Sequence, residues 1–276
     1  MAYVIATYEV PIKMKTPGWK IRLALVAMVV MAIAAGRVRE AGADEISVAA
    51  AADLTFAFKD VAERFRAQNG TQVKLSLGSS GNFFSQIQNG APYDLFFSAD
   101  MGYATKLQDA GLTEPGSLTE YAIGRIVLWA PNSSKIDVTV GLSALKDPSI
   151  RKIAIANPEH APYGRAAVAA LKHENLYHKI EEKLVLGENI SQTAQFVQSG
   201  NADVGIIALS LAMAPAMKEA GKYFAIPQDD YPPIEQAAVM LKSSHKKESA
   251  HKFMLFLKTP EIIALMKQYG FTAPTR

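Results

Sequence analysis

Two short polar segments, Ala50-Ala51-Ala52-Asp53-Leu54-Thr55 and Gly78-Ser79-Ser80-Gly81-Asn82, hold the residues best suited to chemistry in this 276-residue chain. Each follows a short β-type run (Glu45 to Ala50, Val73 to Leu77) and opens a helical pattern (Thr55 to Gln68, Asn82 to Asn89). A chain that leaves a strand, turns through small residues and enters a helix aims several backbone N–H groups at one point. The positive end of the helix dipole adds to them there, so the point suits an anion. Ser79 and Ser80 supply hydroxyl donors, and Gly81 lets backbone approach a ligand closely.

Two further segments repeat the design. In His160-Ala161-Pro162-Tyr163-Gly164, Pro162 fixes the helix entry, Gly164 frees the first turn and Tyr163 offers a phenolic O–H. The other is Glu188-Asn189-Ile190-Ser191. Taken singly, each segment reads as ordinary turn and capping chemistry. Four together point to capture of a small oxyanion. A serine hydrolase ranks last, because a Ser79 or Ser80 nucleophile needs a His base and an orienting acid within hydrogen-bond reach, and Gly-Ser-Ser-Gly is not the G-x-S-x-G elbow.

The elements that must position these segments alternate. Apolar, strand-like runs fall at 46–50, 73–77, 94–98, 126–130, 153–156, 183–186, 204–208 and 236–241. Helical patterns lie at 55–68, 82–89, 101–110, 164–174, 191–199, 247–258 and 260–269. This is an α/β pattern with largely parallel sheets covered on both faces. Two stretches read as crossings between domains: Glu120 to Gly124, and Gln228-Asp229-Asp230-Tyr231-Pro232-Pro233, where the prolines stiffen the chain. Domain I is then 44–122 with 232–276, and domain II is 123–231. Ligands of open α/β sheets bind beyond the carboxyl ends of the strands. With two such domains that place is the cleft between them, and closure about a hinge is expected.

Residues 1–43 read as a cleaved signal peptide. Lys13, Lys15, Lys20 and Arg22 precede an apolar run from Leu23 to Ala35, and Ala41-Gly42-Ala43 offers a cleavage point. Cleavage nearer Ala34 to Gly36 is the alternative, and Met14-Lys15 gives a more ordinary start than Met1. The leader holds six of the 29 basic and two of the 26 acidic residues, which leaves 23 and 24 and a net charge of −1. A nucleic-acid surface is not expected. The chain has no cysteine, hence no disulfide framework, thiolate metal site, Cys nucleophile or Cys lipid anchor. A periplasmic monomer follows as the expectation.

Other polar residues read as structural. Asp94 and Asp100 flank a buried strand and suit capping, His160 suits ordering its own loop, and Trp129 suits the core. His173, His178, His245 and His251 lack metal-site spacing.

Five phrases together resemble the periplasmic molybdate-binding proteins of ABC importers, which have the type II periplasmic binding-protein fold. They are Val48 to Leu54, Gly78 to Asn82, Gly90-Ala91-Pro92-Tyr93-Asp94-Leu95-Phe96-Phe97-Ser98-Ala99-Asp100, Asn157 to Gly164, and Tyr269-Gly270-Phe271. The resemblance implies a two-domain fold with the ligand cleft between domains and two hinge crossings. It implies capture of molybdate or tungstate by neutral donors, delivery to an ABC permease, no catalysis and no cofactor. Carried over residue by residue, it implies Ser80 as a side-chain and backbone donor, Tyr163 where members offer either a backbone N–H or a tyrosine hydroxyl, Ile190 as a backbone N–H donor, and Asp53 at the first-loop position. The same four would meet molybdenum only through the oxygens of the bound oxyanion. Two departures stand out. Ala208 stands where some members place a ligand tyrosine, and Asp53 stands where several have serine. An ionised Asp53 only accepts hydrogen bonds. Either it turns away and caps the helix while its N–H binds, or it accepts a proton from another tetrahedral oxyanion such as phosphate, sulfate or chromate.

Overall fold

The computed structural model describes residues 44–274, so the expected signal peptide lies outside the described residues. Among the described residues ten strands form two five-stranded sheets. The first sheet has the order β2-β1-β3-β10-β4, with β1 (Glu45–Ala51), β2 (Gln72–Gly78), β3 (Leu95–Ser98), β4 (Thr119–Gly124) and β10 (Ile234–Met240). The second has the order β7-β6-β8-β5-β9, with β5 (Ile126–Pro131), β6 (Ile153–Ala156), β7 (Leu184–Gly187), β8 (Val204–Ala208) and β9 (Gly221–Ala225). Helices α1 (Thr55–Asn69), α2 (Ser80–Gln88), α3 (Met101–Asp109), α9 (Lys247–Phe256) and α10 (Pro260–Gln268) accompany the first sheet in sequence. Helices α4 (Pro162–His173), α5 (Tyr177–Ile180), α6 (Ile190–Gln198), α7 (Leu209–Ala212) and α8 (Pro215–Ala220) belong to the stretch that builds the second. Among the described residues no helix is long and apolar enough to cross a membrane.

The sheets are mixed rather than largely parallel. Strand β10 runs antiparallel to both β3 and β4, and β5 runs antiparallel to β8 and β9. The cause is the double crossing: the chain leaves the first sheet through β4, enters the second through β5, and returns to insert β10 between β3 and β4. Strands β4 and β9 were not expected. Both are edge strands of uneven polarity, so neither presents a continuous apolar run. The first crossing shrinks to Arg125, between Gly124 and Ile126. The second follows a 3-10 turn at Gln228–Asp230, and the Ile126 N–H donates to the Tyr231 hydroxyl at 3.2 Å, which fastens the two crossings together.

Each lobe is built on a buried apolar core. In the first, Phe58 of α1 packs edge-on against Phe97 of β3 at 4.9 Å, and Phe97 packs edge-on against Tyr121 of β4 at 5.3 Å. Such aromatic pairs add about 0.5–1.5 kcal/mol to area burial. Here they also fix the ring of Tyr121, whose hydroxyl reaches the site. Trp129 is buried in the second core, as expected.

Candidate functional site

All four loops are strand-to-helix joints, and they meet. Asp53, Ser80, Tyr163 and Ile190 line one small cavity, together with Ala52, Gly78 and Ala161. All four are buried: Asp53 is 1% exposed, Ser80 0%, Tyr163 2% and Ile190 4%. A roomier cavity of about 520 Å³ lies elsewhere, walled by Met254, Leu257, Met266 and Phe271 among others. The convergence of loops, rather than sheer volume, marks the site.

The loops differ in how their helix starts are satisfied. Ser79 caps α2 by accepting from the Asn82 N–H at 3.3 Å, and Asn189 caps α6 by accepting from the Ser191 and Gln192 N–H groups at 3.0 Å. Helices α1 and α4 have no side-chain cap. Ser80 opens α2, and its hydroxyl oxygen accepts from the Ala99 N–H at 2.9 Å. That bond occupies the oxygen and leaves the Ser80 O–H to be aimed elsewhere.

Asp53 does not cap α1, contrary to the first alternative above. It sits in the 3-10 turn Ala52–Leu54, and its Oδ2 accepts from the Tyr163 hydroxyl at 2.9 Å and from Gln236 Nε2 at 2.7 Å. Gln236, 0% exposed, also holds Tyr163 Oη at 2.9 Å from its amide nitrogen and accepts from the Tyr121 hydroxyl at 2.6 Å. Asp53 Oδ1 is buried without a hydrogen-bond partner among the described residues. Burial pushes the Asp53 carboxyl up to about 6, against the opposing pull of Gln236 and Tyr163. Burial and the Asp53 charge push the Tyr163 and Tyr121 hydroxyls well above their ordinary value. Tyr163 therefore stays a neutral donor, and in this arrangement it donates to Asp53.

Further contacts stitch the two lobes along the cleft. The Gly81 N–H donates to the His160 carbonyl at 2.9 Å, and His160 Nδ1 lies 3.0 Å from Ser79 Oγ. Asn82 Nδ2 donates to Glu188 at 2.5 Å, Arg165 pairs with Asp100, and Ser210 Oγ donates to the Asp53 carbonyl at 2.8 Å. Asp100 also caps α3 through the Tyr103 N–H. Asp94 instead ties the Ser47 N–H and the Ser244 hydroxyl. Ala208 ends β8, fully buried. His173 meets Asp230 at 3.3 Å and Glu174 at 3.6 Å, a surface cluster that sequence spacing does not announce.

Sequence reasoning missed Gln236, Tyr121 and Ser210. The available signal was Gln236 itself, an amide inside the apolar run Ile234 to Met240. A glycine guards this network. A Cβ on Gly124 would meet the Tyr163 hydroxyl and come within 2.7 Å of Gln236 Nε2. Gly124→Ala is expected to lower stability by about 1–3 kcal/mol through overpacking, measured by urea unfolding. A change below about 0.3 kcal/mol would mean that the hinge yields freely.

The comparisons agree with this geometry. Residues 46–272 match the family model of bacterial extracellular solute-binding proteins. The chain is 37% identical over 241 residues to the molybdate-binding protein ModA of Rhodobacter capsulatus, covering 87% of this chain and 93% of that relative. It is 39% identical over 243 residues to ModA of Azotobacter vinelandii, covering 88% and 96%. The solved structure of the Azotobacter vinelandii periplasmic molybdate-binding protein superposes with a TM-score of 0.79 at 38% identity, covering 83% of this chain and all of that one. A two-lobed α/β fold, four converging loops and this match over most of its length place the chain in the family of bacterial extracellular solute-binding proteins.

Proposed function

We propose that this protein is the periplasmic receptor of an ABC importer, that it captures molybdate or tungstate between its lobes, and that it delivers the ion to the membrane permease. The observation that carries the reading is the meeting of four strand-to-helix joints, from both sheets, at one buried cavity. Asp53, Ser80, Tyr163 and Ile190 are the proposed ligand contacts, Tyr163 through its backbone N–H because its hydroxyl donates to Asp53, with domain I at 44–122 and 232–276 and domain II at 123–231. The working form is a monomer freed of residues 1–43, without a cofactor and without turnover. Backbone and hydroxyl donors suit a bare tetrahedral dianion, because hydrogen bonds to a charged group contribute about 1.5–3 kcal/mol each. Five to seven of them support roughly micromolar to nanomolar affinity after the cost of closing the lobes.

Isothermal titration of the purified protein with molybdate, tungstate, phosphate and sulfate tests this. Tight one-to-one binding of the first two alone is expected. The unpartnered Asp53 Oδ1 favours one other reading, a receptor for a protonated oxyanion such as hydrogen phosphate. Phosphate binding without molybdate binding would establish it instead. Ser80→Ala should weaken molybdate binding at least tenfold, about 1.4 kcal/mol, and a loss under twofold would remove Ser80 from direct contact.

A further inference from the structure

An ionised carboxylate beside a bound dianion sets two acceptor-only groups against each other at short range, in a cavity also lined by Ala52, Gly78 and Ala161. The two oxygens of Asp53 are not equivalent. Oδ2 is held as an acceptor by two donors, Tyr163 Oη and Gln236 Nε2. Gln236 is held in this orientation by Tyr121, whose hydroxyl donates to its Oε1 at 2.6 Å. Tyr163 points its proton at the same oxygen. Only Oδ1 is left to carry a hydrogen, and it is the buried atom without a partner on a residue that lines the cavity.

Building on the proposed receptor function, we propose that Asp53 takes up one proton from solvent when the oxyanion binds and donates it from Oδ1 to a ligand oxygen, with Gln236 as the positioning residue that keeps Oδ2 the acceptor. An O–H bond forms on Oδ1 as the bond to that proton breaks in hydronium or the buffer acid, and no bond of the ligand changes. The carboxyl already holds its proton up to about pH 6, because it is buried among neutral partners. A dianion within hydrogen-bond reach raises it further. The groups facing Asp53 are Tyr163 from α4, Tyr121 from β4 and Ser210 from α7, with Tyr231 behind Tyr163. At the rim, Arg165 pairs with Asp100, and His160 Nε2 lies 3.6 Å from the Glu188 carboxylate.

Titration calorimetry with molybdate, run in Tris and in PIPES buffer so that the heat of buffer ionisation counts protons, tests the proposal. At pH 7 the wild type should take up about one proton per ion bound, and the affinity should rise about tenfold from pH 8 to pH 7. Asp53→Asn, whose amide is a permanent donor, should show no uptake and a flat pH profile. Gln236→Glu should change the uptake, since it places a second acid beside Asp53. Molybdate binding by the wild type with no uptake would overturn the proposal while leaving the receptor reading intact. Uptake undiminished in Asp53→Asn would also overturn it. No binding of molybdate or tungstate would overturn the receptor reading and the proposal with it.

Discussion

Replacing Gln236 with leucine should lower the stability of this protein by about 2–5 kcal/mol. Leucine nearly matches the volume of glutamine but makes no hydrogen bonds. Asp53 Oδ2 would lose one of its two donors, Tyr121 its short 2.6 Å acceptor, and Tyr163 one of its two partners. Each buried polar group left unpaired costs about 1–3 kcal/mol. Tyr121 keeps a long contact to the Ser98 carbonyl at 3.5 Å, so its loss falls at the low end. For a chain of this size each kcal/mol moves Tm by about 2–4 °C. Thermal unfolding followed by circular dichroism reads this directly. A Tm within about 1 °C of wild type would show that the four-residue network contributes nothing net.

The second large effect is on stability against pH. Unfolded, the Asp53 carboxyl has its ordinary value of 3.8, and folded it rises to about 6 because burial disfavours the charge. The folded state therefore holds the proton more tightly. Its contribution to stability is full below about pH 4, fades as pH rises through 6, and is gone above that. At about 1.4 kcal/mol per pH unit the loss amounts to about 3 kcal/mol. Surface carboxylates such as the half-buried Asp44 and the exposed Glu261, held low by Lys246 and Arg64, act in the opposite sense as pH falls. The informative quantity is thus the difference between wild type and Asp53→Asn in urea unfolding. Asparagine should be the more stable at pH 8 by about 3 kcal/mol, and the gap should narrow towards pH 4. A gap that is constant with pH would place the ionisation of Asp53 outside the folding equilibrium.

Much of the site was legible because its signals are local. A strand, a turn of small residues and a helix start lie within a dozen positions, so the loops at Asp53, Ser80, Tyr163 and Ile190 could be read from spacing alone. Their meeting at one cavity depends on topology, and the α/β alternation with two crossings supplied that. What escaped is the tuning of the acid. Gln236 lies 183 residues from Asp53 and 115 from Tyr121, and no short-range pattern links them. Strands β4 and β9 escaped for a related reason. At a sheet edge one side of the strand has no neighbour, so the sequence there need not be uniformly apolar. The side chain of Asp53 was expected to choose between its own helix and a ligand. It does not cap its own helix, because a tyrosine from the other lobe and a glutamine from the returning strand offer its Oδ2 two donors.

With Arg125 alone between β4 and β5, and the returning chain pinned there by Tyr231 and Ile126, the join between the halves behaves as a flexure rather than a tether. Under the proposed function, such a join would let the angle between the halves change while holding their separation there. The four loops would then meet at a set gap, a fixed aperture in which an ion of the wrong diameter leaves the donors short.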